Sequence, residues 1–277
     1  MFDKSCNKAV YKYLMNRLRD DGVLHFSVID PDPHKQSPDR AASMACLCEA
    51  AGSDAILVGG STVTDQEFVS STVEKIKAKT TLPVIIFPGG IPSISSKADA
   101  IFFMSMLNSR DPYFIVGQQA LVSYPLKSSG LETISLAYLI IEPGATAGWV
   151  GNAKPLPRND PKLTAAYALT AEMYGFQMLY LEAGSGANTI PASHVSYASE
   201  VLSIPIIAGG GINTKEDARL LVEAGADVIV MGTFIEKHVL KDEGESLKPI
   251  IREIKSAGSN KNPDHKYQVM SKQHMQG

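Results

Sequence analysis

The chain has 277 residues, enough for one α/β barrel with a complete core, since such barrels run to about 250 residues. Its formal charge of −3 gives no general attraction to nucleic acid or an anionic membrane surface, and 44% apolar against 20% charged residues is an ordinary globular balance. No apolar run approaches the ~18 residues needed to cross a bilayer, the longest lying near Ile134–Ile141, and Met1-Phe2-Asp3-Lys4-Ser5 lacks the basic-then-apolar order of a signal peptide.

Short β-branched and aromatic runs alternate with helical patterns along the chain. A strand at Leu24–Asp30 is followed by a helix at Asp39–Ala51, and a strand at Asp54–Gly60 by a helix at Asp65–Lys79. Strands at Pro83–Gly89, Asp99–Met106 and Thr133–Glu142 come next, then a helix at Pro161–Tyr174. The pattern ends with strands at Met178–Gly184, Pro205–Gly211 and Asp227–Thr233 and helices at Thr214–Ala224 and Ser246–Ser256. Thr214 with Asp217 is a capping signal, and Ala218, Leu221 and Val222 form the buried stripe behind it.

Strands with continuous apolar character belong in a parallel sheet covered on both faces. Eight of them predict a (β/α)₈ TIM barrel. A doubly wound open sheet is the alternative, but its glycine signature follows the first strand, and here the glycines come late. Residues 1–257 are expected to form the single domain, with the polar segment 258–277 a disordered tail.

Two connections depart from the pattern. Gly90–Ala98 is too short and too rich in Pro and Ser for a barrel helix, so the third helix is predicted to be missing or altered, leaving that flank thinly covered. Gly144–Asp160 is long, rich in Gly and Pro, and leaves a strand on the catalytic face; it reads as a mobile lid, with a solvent-exposed spacer as the alternative.

Candidate chemistry collects at the strand ends. Met178, Tyr180 and Glu182 share one face of the sixth strand, and Leu179 and Leu181 share the other. With the leucines toward the helices, Tyr180 and Glu182 point inside the barrel near its C-terminal rim. Gly184 and Gly186, then Gly209-Gly210-Gly211, then Gly232-Thr233 end three successive strands. One such cluster could be a turn; three in a row predict amides converging on a phosphate.

Asp30, at the end of the first strand, suits a hard cation such as Mg²⁺, which takes one or two protein oxygens. Asp32 reads as a metal contact or a turn former. Ser61 could bind the same cation or cap the next helix. The chain shows no nucleophile elbow, no zinc spacing among its six histidines, no Walker loop and no basic stripe for nucleic acid. Cys6, Cys46 and Cys48 form neither a disulfide framework nor a metal knuckle, and are expected to be reduced thiols in a cytoplasmic protein.

Ile29-Asp30-Pro31, Gly59-Gly60-Ser61, Tyr180–Gly186, Gly209-Gly210-Gly211-Ile212 and Gly232-Thr233 together resemble the geranylgeranylglyceryl phosphate synthase family. These prenyltransferases make the first ether bond of archaeal membrane lipids, on a barrel with an altered third helix. The resemblance implies Asp30 and Ser61 as Mg²⁺ ligands. It implies that Tyr180, Leu181, Glu182, Ala183, Gly184, Ser185 and Gly186, with Gly210, Gly211, Gly232 and Thr233, bind sn-glycerol 1-phosphate. Glu182 is then the candidate general base, geranylgeranyl diphosphate the donor, and the protein a homo-oligomer, dimer or hexamer. One branch of the family has a lysine where this chain has Val28, so the chain is similar to the other, archaeal-type branch. The segment Pro31-Asp32-Pro33-His34-Lys35 departs from the pattern and leaves the diphosphate contacts open. The same chemistry with a longer prenyl donor, or a different phosphate-binding barrel enzyme, are the competing readings.

Overall fold

The computed structural model describes residues 8–62 and 65–261. Eight strands pair in parallel in chain order, and the first closes on the last. They are β1 (Leu24–Ile29), β2 (Ala55–Val58), β3 (Val84–Ile86), β4 (Ala100–Met106), β5 (Glu132–Ile140), β6 (Met178–Glu182), β7 (Ile206–Gly209) and β8 (Val228–Met231). Seven fall inside the predicted runs, β5 begins one residue early at Glu132, and together the eight form the expected barrel. Most are shorter than predicted, because the residues at their glycine-rich ends leave the sheet for the rim.

Around them lie α2 (Pro38–Ala51), α3 (Gln66–Lys77), α6 (Pro161–Met173), α8 (Lys215–Glu223) and α10 (Leu247–Ser259), close to their expected places. In α2, α3 and α8 the start is set by a side chain that satisfies otherwise unpaired amides. Ser37 accepts from the Arg40 amide, Asp65 from those of Glu67 and Phe68, and Thr214 from that of Asp217. Five further helices were not anticipated: α1 (Ala9–Asp21), α4 (Gln118–Ser129), α5 (Ala145–Val150), α7 (Ala192–Ser199) and α9 (Thr233–His238).

Strand parity sorts the core into two layers. Ile56, Val58, Leu179, Leu181 and Ile206 face outward and pack with the helices. Phe26, Leu57, Ile85, Tyr138, Met178 and Tyr180 fill the barrel. The lower mouth is stoppered by α1, whose Val10, Leu14 and Leu18 join the inner layer. Glu132, at the start of β5, accepts the Val10 and Tyr11 amides at 2.8 Å each and so caps this helix from across the fold.

The connection from β3 to β4 holds only a 3₁₀ turn, Ile91–Ser93, as the sequence predicts. Segment 144–160 is better fastened than a solvent-exposed spacer. It contains α5, and Leu156 exchanges hydrogen bonds with Ile140 and Glu142. The Asn108 amide group donates to the carbonyls of Ile140 (2.8 Å) and Lys154 (3.0 Å). Thr146, Ala147 and Val150 line the cavity at the rim, so the segment covers part of the site.

The last helix runs to Ser259, which makes the first residues of the expected tail helical, with Gly258 buried; residues 262–277 lie outside the described part. Among the described residues no helix is long and apolar enough to cross a membrane, and Cys46 and Cys48 are both free.

His25 is fully buried on the outer side of β1, with Nδ1 3.0 Å from Ser53 Oγ. Its backbone amide donates to Asp54, which is paired with Lys255 at 2.7 Å. Burial, aided by the Lys255 charge, pushes the imidazole down to about 3. The unfolded chain therefore takes up this proton first as pH falls. The stabilisation is complete above the ordinary histidine value and is lost between there and about 3, at roughly 1.4 kcal/mol per pH unit. Urea midpoints measured from neutral to acid pH are expected to fall less steeply for His25→Gln than for the native chain. Parallel curves would remove His25 from the acid limb.

Candidate active site

The rim of the barrel encloses a cavity of about 310 Å³. Asp30, Ser61, Tyr180, Glu182, Ser185, Gly186, Gly210, Gly211, Gly232 and Thr233 all line it, so residues drawn from five strand ends meet there as expected. Leu181 and Ala183 are fully buried among the outer-layer side chains, so only their backbones lie near the site.

Glu182 is nearly buried, with 6% of its surface exposed. Its Oε1 accepts the Gly184 amide at 2.6 Å, and the Tyr138 and Tyr180 hydroxyls also bond to the carboxylate. Burial pushes its pKa up despite these three donors, each of which favours the charged form. The carboxylate is thus fixed in place and more basic than an exposed one. Below it the rings of Phe87 and Tyr180 stack at 5.2 Å, with Tyr138 against both, forming an apolar floor.

Beside Glu182 is an amide cradle. The amides of Ser185, Gly186, Gly210, Gly211 and Gly232 reach no backbone acceptor among the described residues. Gly210 has φ +85°, and a side chain there would overlap Glu182 Oε1 and the Gly184 nitrogen. Only glycine lets the β7 loop approach the acid this closely. Such converging amides bind anions without a charged side chain.

Opposite lies Asp30. Lys35 Nζ is 3.3 Å from its Oδ2 and 3.7 Å from Glu236 Oε1, the latter reaching in from α9. Burial raises the pKa of Asp30 against the pull of Lys35; burial and the Asp30 charge raise Glu236 to about 7. Asp32 Oδ1 accepts the His34 amide at 2.9 Å, the turn-forming role. Ser61 is not the cap of α3, because Asp65 fills that position.

Two observations fit a hard divalent cation at Asp30. Gly60 keeps a side chain off the carboxylate: a Cβ there would crowd Oδ1 at 3.1 Å. The carboxylate also already draws a cation, the Lys35 ammonium. Among the described residues no three His, Cys, Asp or Glu side chains group as a metal cage. A cation held here would rely on one or two protein oxygens plus substrate phosphate.

From this polar end the cavity runs along an apolar wall that includes Ile91, Ile94, Phe103, Phe114, Val122 and Leu126. It occupies the flank where the third helix is missing. Lys35, Glu236, Tyr138 and Phe87 were not foreseen as site residues. For Tyr138 a signal existed: it faces inward by strand parity and pairs directly with Tyr180.

Residues 16–255 match the model of the PcrB family. The geranylgeranylglyceryl phosphate synthase of Thermococcus gammatolerans is 52% identical over 229 residues, covering 82% of this chain and 90% of that relative. The one from Thermococcus kodakarensis is 51% identical over 248 residues, covering 89% and 97%. Among solved structures, (S)-3-O-geranylgeranylglyceryl phosphate synthase from Thermoplasma acidophilum in complex with its substrate sn-glycerol-1-phosphate superposes with a TM-score of 0.83. It shares 45% identity and covers 87% of this chain and 97% of its own.

Proposed function

The chain belongs to the PcrB family and is a prenyltransferase, and on that premise we propose its reaction: Mg²⁺-dependent transfer of a geranylgeranyl group from its diphosphate to the 3-hydroxyl of sn-glycerol 1-phosphate. One observation carries the reading. A buried carboxylate, a cradle of free amides and a cation-ready aspartate share a single cavity that continues into an apolar slot.

The amides of Ser185, Gly186, Gly210, Gly211 and Gly232, with Thr233, would hold the phosphate and fix the glycerol in orientation. Glu182 would accept the proton of the 3-hydroxyl as its oxygen bonds to C1 of the donor. The bond from C1 to the diphosphate oxygen breaks in the same process, and diphosphate leaves with the electron pair. Asp30 and Ser61 would hold Mg²⁺, which when bound neutralises charge on the departing diphosphate. Lys35 stands beside Asp30, where it can meet the same oxygens. The Phe87, Tyr138 and Tyr180 rings shield the reacting carbon from water, and the slot beside the 3₁₀ turn receives the isoprenoid tail.

The test supplies purified protein with Mg²⁺, sn-glycerol 1-phosphate and prenyl diphosphates of several lengths, and measures diphosphate and the ether product. The expected result is diphosphate release that requires both substrates and is fastest with the geranylgeranyl donor. A faster rate with a longer donor moves the reading to that donor, and no release with any donor overturns it. Self-association into a dimer or hexamer belongs to the same reading, and Trp149, 84% exposed, is an apolar group such contacts could cover.

A further inference from the structure

We propose that Arg158 is a positioning residue for the glycerol phosphate, an inference that rests on the reading above. Arg158 lies in the strip after β5, away from the reacting atoms. Its guanidinium donates to three backbone carbonyls: Thr189 at 2.6 Å, Glu142 at 3.2 Å and Asn188 at 3.5 Å. A planar fork spans such a set, whereas a single ammonium does not.

The backbone of Arg158 is held at both ends. Its amide donates to Glu142 Oε2 at 3.1 Å, and its carbonyl accepts from His194 Nε2 at 2.9 Å. With that proton on Nε2, His194 Nδ1 accepts the Thr164 hydroxyl at 2.7 Å, so the buried imidazole ties the strip to α6. Burial lowers the pKa of His194 and favours this neutral form.

The far end of the chain of contacts reaches the cradle. Thr189 Oγ1 donates to the Gly211 carbonyl at 2.8 Å. Gly211 has φ +72°, and a side chain there would overlap the Ala187 carbonyl. Arg158, Asn188–Thr189 and Gly211 thus fasten the strip, the loop after β6 and the loop after β7 into one body. Those loops carry Ser185-Gly186 and Gly210-Gly211, the amides assigned to the phosphate. Without the guanidinium, the carbonyls of 188 and 189 lose their anchor and the two sets of amides no longer keep their spacing.

The experiment uses the full chain with Arg158→Gln, Arg158→Lys and Thr189→Val. Calorimetric binding of sn-glycerol 1-phosphate is combined with steady-state constants for both substrates. Both arginine variants are expected to raise KM for the glycerol phosphate about tenfold, and Thr189→Val about threefold, with kcat and the KM for the prenyl diphosphate nearly unchanged. Lysine should not rescue. Unchanged glycerol phosphate affinity, equal losses for both substrates, or full rescue by lysine would each overturn the proposal. If the arginine variants do not fold, Thr189→Val decides it by the same criteria. A native protein that binds no sn-glycerol 1-phosphate removes the functional reading itself; a native protein that binds while its variants match it removes this inference alone.

Discussion

Replacing Glu182 by Gln is expected to slow turnover by about 10³-fold with little loss of glycerol phosphate binding, because the change removes the base and keeps the shape. Glutamine can still accept the Gly184 amide through its carbonyl oxygen, so the cradle stays assembled. The pH dependence has a definite sign. Glu182 acts when ionised, and burial raises its pKa. The kcat/KM of the native protein should therefore decline, as pH falls, at a higher pH than an exposed carboxylate would give. For stability the sign is opposite: the folded chain holds this proton more tightly than the unfolded chain, so the contribution is present in acid and is lost as pH rises through the raised pKa. Rapid-quench measurement of diphosphate release across pH checks the first sign, and urea melts of native and Glu182→Gln protein check the second. Native-like turnover in the variant would end the assignment of Glu182 as base.

Asp30→Asn is expected to lower turnover by the order of 10²- to 10³-fold and to shift the Mg²⁺ requirement upward, since an amide oxygen binds a hard cation more weakly than a carboxylate. Mn²⁺ binding followed by electron paramagnetic resonance gives a readout free of turnover. The native protein should bind the ion in the presence of diphosphate, and the variant should bind it at least about tenfold more weakly. Ser61→Ala should produce a smaller change in the same direction. An Asp30→Asn protein with unaltered Mn²⁺ affinity and Mg²⁺ dependence would place the cation elsewhere.

The barrel could be read from the sequence because its strands are continuous apolar runs and its glycines sit at their ends. Parity alone put Tyr180 and Glu182 inside and Leu179 and Leu181 outside, as found. Helices with polar outer faces and clear caps, such as the one begun by Thr214, were equally legible. Those that escaped lack such contrast. Pro125 and the exposed Leu121 and Tyr124 blur the face of α4, and α5 and α9 are single short turns of chain. The first helix carries an apolar spacing, at Val10, Leu14 and Leu18, but it precedes the strand–helix alternation and belongs to none of its units. Closure of the barrel explains the missed site residues. Glu236 stands 206 positions after Asp30 in sequence and meets it only because β8 pairs with β1. Arg158 showed no local signal, since its partners are carbonyls, which every residue carries.

Plugging of the lower mouth by α1, with Glu132 holding its first amides, separates two demands on one molecule. The proposed chemistry lies at the upper face, while the apolar contacts of α1 and the Glu132 hydrogen bonds lie at the opposite pole. Amino-acid replacements around Leu14 or Glu132 can therefore retune heat tolerance without touching the geometry of transfer.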